Sequence, residues 1–150
     1  MGHSFWNIHV HAIFTTKDRK PLILPSFQAR LYDYIGGIIR QEVGQPVHIG
    51  GTDNHLHVLF DLRGDVSLSQ AMRQVKSLSS GWVHGNFSDG GDFAWQSGYA
   101  AFSVTQSSVA SVRRYIDKQA EHHAKVTFEE DLTAFFERHG VKYDPTHLWD

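Results

Sequence analysis

The sequence predicts an α+β fold of the ferredoxin-like kind: an antiparallel sheet in β-α-β-β-α-β order with helices on one face, followed by two C-terminal helices. Three observations predict it. Segments 5–16 and 55–61 alternate apolar and polar residues with the period of a half-buried strand. Segments 26–40 and 67–87 carry apolar residues at helical spacing, and shorter strand-like runs at 46–50 and 99–106 follow them.

In the first strand, Trp6, Ile8, Val10, Ala12 and Phe14 share one face, and Asn7, His9, His11 and Thr15 the other. The basic loop Lys17-Asp18-Arg19-Lys20-Pro21 follows. The first helix, Ser26 to Arg40, lines up Phe27, Leu31, Tyr34, Ile35, Ile38 and Ile39, although Gly36-Gly37 weakens its second half. Pro46 to Gly50 reads as a short strand, and Gly51 to Asn54 as a turn. The third strand, His55 to Asp61, sends Leu56, Val58 and Phe60 one way and His55, His57, Leu59 and Asp61 the other. Ser67 is an N-cap residue for the helix to Phe87, with Leu68, Met72, Val75, Leu78, Trp82 and Val83 at helical spacing. After the strand Tyr99 to Gln106, a helix is predicted from Ser107 or Ser108 to about Lys125. The final helix opens on the capping box Thr127-x-x-Glu130 and ends near Gly140. The chain thus divides into a core at 1–106, a helix at 107–125 and a C-terminal extension at 126–150.

The 150 residues suffice for one domain, and 41% hydrophobic content excludes a disordered chain. With no cysteine there is no disulfide, thiolate metal site or thiol nucleophile. No signal-peptide pattern and no membrane-length apolar run occur, so a soluble cytoplasmic protein without a membrane partner is expected. No P-loop is present, so no nucleotide cofactor is expected. The net charge of −2 does not suggest a nucleic-acid partner, but its distribution is uneven. Residues 1–116 hold ten Lys/Arg against eight Asp/Glu, and residues 117–150 hold four against eight.

Two imidazoles two residues apart on a strand project together, so His55 and His57 form half of a metal site. An isolated pair of this kind is more often an ordinary polar sheet face. His9 and His11 form a second such pair on a neighbouring strand; they read as hydrogen-bonded polar residues, with His11 nearer the substrate. On the helix after the fourth strand, Val109, Val112, Ile116 and Ala120 define the buried stripe, with Tyr115 and Gln119 on its flank at i,i+4. Alone, Tyr115 is a boundary tyrosine with a packed ring and a wet hydroxyl. Taken with the histidines, Gln119 offers an amide oxygen as third ligand to a divalent ion, and Tyr115 a phenol for attack on phosphorus. Imidazole ligation suits Mn²⁺ better than Mg²⁺, and either is the expected ion.

His55-Leu56-His57 together with Tyr115-Ile116-Asp117-Lys118-Gln119 resembles the HUH single-tyrosine transposases of small bacterial insertion sequences, nearest to the insertion-sequence two-hundred-like group. The likeness extends through His11 to Arg19, Lys76 to Ser80, Trp95 to Tyr99, Phe102 to Val104, Gln119 to His123, and Tyr143-Asp144 with Leu148-Trp149. The resemblance implies His55, His57 and Gln119 as metal ligands and Tyr115 as the nucleophile that forms a 5′-phosphotyrosine. It also implies single-stranded DNA with hairpin ends as substrate and a homodimer in which the tyrosine helix of one subunit can complete the site of the other. Asn54 stands where such proteins often carry Asp or Asn. Lys17, Arg19, Lys20, Arg73, Lys76 and Arg114 are the expected DNA contacts, and Trp95 and Tyr99 are read as core aromatics ahead of base-stacking residues. Two other readings stay open: a domesticated or replication-type nicking endonuclease, and a non-enzymatic ferredoxin-like dimer that binds DNA hairpins.

Overall fold

The computed structural model describes residues 2–147. Leu148 and Trp149 of the sequence resemblance lie outside the described residues. Four strands, β1 (His9–Thr15), β2 (Gly44–Gly51), β3 (His55–Leu62) and β4 (Ala100–Val104), form one sheet in the order β2-β3-β1-β4, every neighbouring pair antiparallel. Helices α1 (Gln28–Glu42) and α2 (Leu68–Asn86) complete the β-α-β-β-α-β pattern. This is the expected fold, with β1 and β3 at its centre.

The strand alternation decides what each face of the sheet holds. Val10, Ala12 and Phe14 of β1 and Leu56, Val58 and Phe60 of β3 pack with Leu31, Ile35, Ile38 and Ile39 of α1 and Met72, Val75 and Val83 of α2. The α1 stripe runs unbroken through Gly36-Gly37. Ser67 caps α2 with a full capping box, as its sequence suggests. The opposite face is covered by the C-terminal helices α3 (Val109–Asp117), α4 (Gln119–His123) and α5 (Phe128–Arg138). There Phe128, Leu132, Phe135 and Phe136 of α5 bury against Ile13 and Phe102. Strand β3 is therefore enclosed on both sides, and residues 55 to 60 are all buried.

Two boundaries differ from the sequence reading by more than two residues. The first strand starts at His9, not at residue 5, and Phe5, Trp6 and Ile8 are exposed. Its partners explain the start: β3 runs out at Leu62, so upstream of His9 only Ile8 still reaches it, through Leu62 and Asp61. The helix expected to run unbroken to about Lys125 is instead interrupted at Lys118, whose φ of −104° and ψ of 24° leave the helical region. The interruption shifts the phase of the chain, so Gln119 is buried while Ala120, expected in the buried stripe, is exposed.

One glycine brings α3 onto the sheet. Gly50 lies opposite His57 in the β2–β3 register. A Cβ there would meet Ile116 Cγ2 at 2.7 Å and the Ile116 carbonyl oxygen at 2.8 Å. The missing side chain is what lets α3 settle beside β3. Gly50→Ala is expected to push α3 outward and to destabilise the fold by about 1–3 kcal/mol. At this chain length that is a Tm lower by roughly 2–12 °C, measured by thermal denaturation. An unchanged Tm would show that α3 is not held by this close approach.

Candidate metal and nucleophile site

His55 and His57 project from β3 into the layer beneath α3, α4 and α5, both almost fully buried. The structure brings Gln119 to them: its Oε1 lies 3.0 Å from His55 Nε2. It adds a residue that spacing alone did not single out. His123 Nε2, from α4, is also 3.0 Å from Gln119 Oε1. One nitrogen each of His55, His57 and His123 lies within 4.8 Å of the other two.

The hydrogen-bond inventory around Gln119 is short of hydrogens. His123 Nδ1 is 2.9 Å from the Val126 carbonyl and its Nε2 faces Gln119 Oε1, both acceptors, while a neutral ring has one proton; with that proton on Nδ1, Nε2 is a lone pair. His55 Nδ1 is 2.9 Å from Asn54 Oδ1 and 2.9 Å from the Thr52 hydroxyl. With its proton on Nδ1, His55 donates to Asn54 Oδ1 and turns a lone pair on Nε2 to Gln119. Gln119 Nε2 donates to the Tyr115 carbonyl at 3.3 Å, which turns Oε1 toward the histidines. With both protons on Nδ1, two imidazole lone pairs and an amide oxygen face one another. His57 Nε2 is buried with no hydrogen-bond partner at all.

Charge on the rings does not relieve this. Burial pushes His55 down to about 4 and His57 well below its ordinary 6.5, and it lowers His123 as well. Near neutral pH the three rings are neutral bases with lone pairs to offer. A divalent cation among them fits. Ligand atoms about 2.1 Å from a common ion and at right angles stand about 3.0 Å apart. The residues present therefore suit a metal with nitrogen and oxygen ligands, from His55, His57, Gln119 and His123.

Tyr115 lies over the same cluster. Its ring centroid is 5.4 Å from that of His57 at an interplanar angle of 81°. Its hydroxyl donates to Asp131 Oδ2 of α5, and Asp131 Oδ1 is 3.0 Å from His122 Nε2. Burial, then the Asp131 carboxylate, push the phenol pKa up. The Tyr115 ring and the three histidines of the cluster all belong to one chain. Asp131 was not legible as a site residue because it sits in a helix whose sequence signals only an apolar stripe and a cap. Three acidic residues, Glu129, Glu130 and Asp131, lie between Phe128 and Leu132, and Asp131 alone of them is buried.

One cleft reaches the cluster and a second reaches Tyr115. One of about 940 Å³ is lined by Asp18, Arg19, Asn54, His55, His123 and Glu129. The other, of about 360 Å³, exposes Tyr115 beside Arg114, Lys118, His122 and Lys125. The expected DNA contacts are split among several places. Arg114 stands by Tyr115. Lys17 and Lys20 are exposed on the short turn after β1, where Arg19 pairs with Glu129 of α5. Lys76 is remote from the cluster and half-buried, its ammonium donating to the Gln96 and Gly98 carbonyls at 2.6 Å each. Arg73 is exposed and lines the groove beside it. Trp95 packs on Phe14 and Phe93 and donates to Ser79 Oγ, as a core residue does, and Tyr99 is half-exposed. His9 makes no bond through its Nδ1, and His11 bonds to His57.

The same fold is present in solved transposases. A Deinococcus radiodurans protein assigned as a transposase matches with a TM-score of 0.63 at 19% identity, over 79% of this chain and 96% of its own. A REP-associated tyrosine transposase, solved bound to a REP hairpin, matches with a TM-score of 0.55 at 14% identity, over 83% of this chain and 73% of its own. No curated protein matches the chain. These two likenesses are of fold. The family is then given by the sequence: the family model described as "Transposase IS200 like" matches residues 4–119, and the chain belongs to that family. It is a transposase-family, DNA-processing enzyme. Among the described residues no helix is long and apolar enough to cross a membrane.

The buried neutral rings make stability pH-dependent. The His11 and His55 pKa values are held at about 4 in the fold, against about 6.5 in the unfolded chain. Below pH 6.5 the unfolded chain therefore takes up protons that the fold refuses. Stability is fully present above that value and lost as pH falls toward 4, by about 2 kcal/mol per ring at pH 5. Denaturant titrations of chelator-treated protein between pH 7 and 5 are expected to show this fall. A flat profile would contradict the buried neutral rings.

Proposed function

We propose that this protein is a metal-dependent transposase that cleaves and rejoins single-stranded DNA at insertion-sequence ends through a 5′-phosphotyrosine on Tyr115. The observation that carries the reading is the convergence of His55, His57 and Gln119 beneath the Tyr115 ring, in a chain of the IS200-like family.

Each residue has a part. His55, His57 and Gln119 hold the ion, with His123 as a further ligand, and the nitrogen-rich set favours Mn²⁺ over Mg²⁺. A bound divalent ion supplies Lewis-acid polarisation of the non-bridging phosphate oxygens. Tyr115 Oη attacks phosphorus, the bond to the 3′ oxygen breaks, and the strand leaves with a free 3′ hydroxyl. The phenol must lose its proton, and Asp131 Oδ2, which already accepts that hydrogen bond, is the group in place to take it and return it to the departing oxygen. Rejoining runs the steps in reverse with a different 3′ hydroxyl, so the phosphodiester energy is kept and no nucleoside triphosphate is required. Arg114, Lys118 and Lys125 around Tyr115 are the cationic groups best placed for the scissile strand, with Arg19 at the other cleft and Lys17 and Lys20 exposed on the same turn as Arg19.

Hairpin-bearing DNA is the proposed substrate, supported by the hairpin bound to the REP-associated neighbour. A homodimer is proposed on the family resemblance. The Tyr115 ring resting on His57 of its own chain supports use of each tyrosine within its own subunit.

Incubation with hairpin-bearing single-stranded DNA and Mn²⁺, read on a denaturing gel, tests the reading. Wild-type protein is expected to form a covalent adduct. Tyr115→Phe is expected to form none while binding the same DNA with little change. An adduct that persists in Tyr115→Phe rules out the nucleophile, and hairpin binding by wild type with no adduct favours a purely DNA-binding protein. His57→Ala is expected to lose cleavage by at least 100-fold and to lose Mn²⁺ binding by calorimetry. Full cleavage in excess chelator would end the metal role.

A further inference from the structure

His11 stands on β1, opposite Leu59 in the β1–β3 register and therefore one diagonal step from His57 on the same face of the sheet. Its Nε2 lies 2.8 Å from His57 Nδ1, and both rings are buried. Only one hydrogen fits between these two nitrogens. Which ring carries it decides what His57 presents on its far side.

In the first arrangement His11 donates. His57 then carries its proton on Nε2, a buried nitrogen that has no partner. A buried N–H without an acceptor keeps the full cost of its desolvation. In the second arrangement His57 Nδ1–H donates to His11 Nε2. The orphaned atom is then a bare lone pair, the group a cation needs, and Nε2 is the only nitrogen that His57 has left for the cluster with His55 and His123. Metal-binding imidazoles are commonly held this way, with the second nitrogen's hydrogen bond fixing the tautomer.

We propose that His11 is a positioning residue: it accepts the His57 Nδ1 hydrogen and so holds His57 in the tautomer whose Nε2 lone pair is offered to the metal. This rests on the metal reading given above. The His11 seat is rigid enough for the task. Phe135 packs edge-on against its ring at 5.2 Å and 79°, and Phe102 at 6.5 Å and 60°. The Tyr115 ring also meets His11 edge-on, at 6.2 Å and 73°, so the residue that orients the ligand also braces the nucleophile.

Two variants of the full-length protein separate the hydrogen bond from the packing. His11→Gln keeps an acceptor within reach of His57, and His11→Phe keeps a ring but no acceptor. Long-range nitrogen–proton NMR on metal-free protein reads the His57 tautomer, and calorimetry reads Mn²⁺ affinity. Wild type is expected to show the Nδ1–H tautomer. His11→Phe is expected to lose it and to bind Mn²⁺ about 10–100-fold more weakly, with His11→Gln close to wild type in both. An Nε2–H tautomer in a wild type that binds Mn²⁺ overturns the His11 assignment alone, as does wild-type affinity in His11→Phe. Failure of the wild type to bind Mn²⁺ overturns the metal reading and, with it, this role. Where His11→Phe does not fold, the wild-type tautomer and the His11→Gln affinity decide.

Discussion

The arrangement of the site depends on a shortage of hydrogens. Gln119 Oε1 meets two imidazole nitrogens, and each ring turns its other nitrogen to a second oxygen, of Val126 and of Asn54, with one proton to share between the two. In water such a cluster would be relieved by solvent donors. Beneath three helices His55, His57 and Gln119 are buried, and that burial also keeps the histidine rings from relieving it by protonation. A packed core that gathers acceptors with no donor carries a standing electrostatic penalty. A divalent cation there would remove that penalty, so the same geometry that costs the metal-free fold suits the proposed ion.

That cluster exists because the sheet has a helical layer on each side. A ferredoxin-like sheet with one bare face would leave His55 and His57 in water, as ordinary polar residues. Here Phe128, Leu132, Phe135 and Phe136 supply a second hydrophobic cluster, and α3 drops onto β2 where Gly50 leaves room for Ile116. The interruption at Lys118 then does what a continuous helix does not: it turns Gln119 inward while Tyr115 stays on the flank. Both groups reach the same spot from two short helices. The family model ends at Gln119, so His123 and Asp131 come from chain beyond the matched segment.

Much of this was legible in the residues. The alternation in 55–61 gave the direction of both imidazoles, because one face of the strand had to be apolar. The capping signals at Ser67 and Thr127 marked two helix starts, because such caps act locally. What was not legible depended on contacts between distant segments. The loss of strand at residues 5–8 reflects where β3 ends, and an alternating pattern cannot report its partner's length. The break at Lys118 has no proline or glycine to announce it. His123 and Asp131 join the site through the packing of α4 and α5 on the sheet, and the basic residue Lys76 is tied to loop carbonyls rather than free for phosphate. Positive charge in a sequence does not say which ammonium groups are already occupied.

The pairing of β1 with β3 sets Ile13 against His57 and Thr15 against His55. Side chains alternate with a period of two, so sliding β3 by a single position would reverse its faces. The imidazoles would then point into the apolar layer under α1 and α2, and Leu56, Val58 and Phe60 would point toward Tyr115. Misalignment and loss of chemistry are thus one event, and whatever holds the aliphatic side chains in their layer also keeps the histidines aimed. Sequence drift that respects the oil of one face preserves the reactivity of the other.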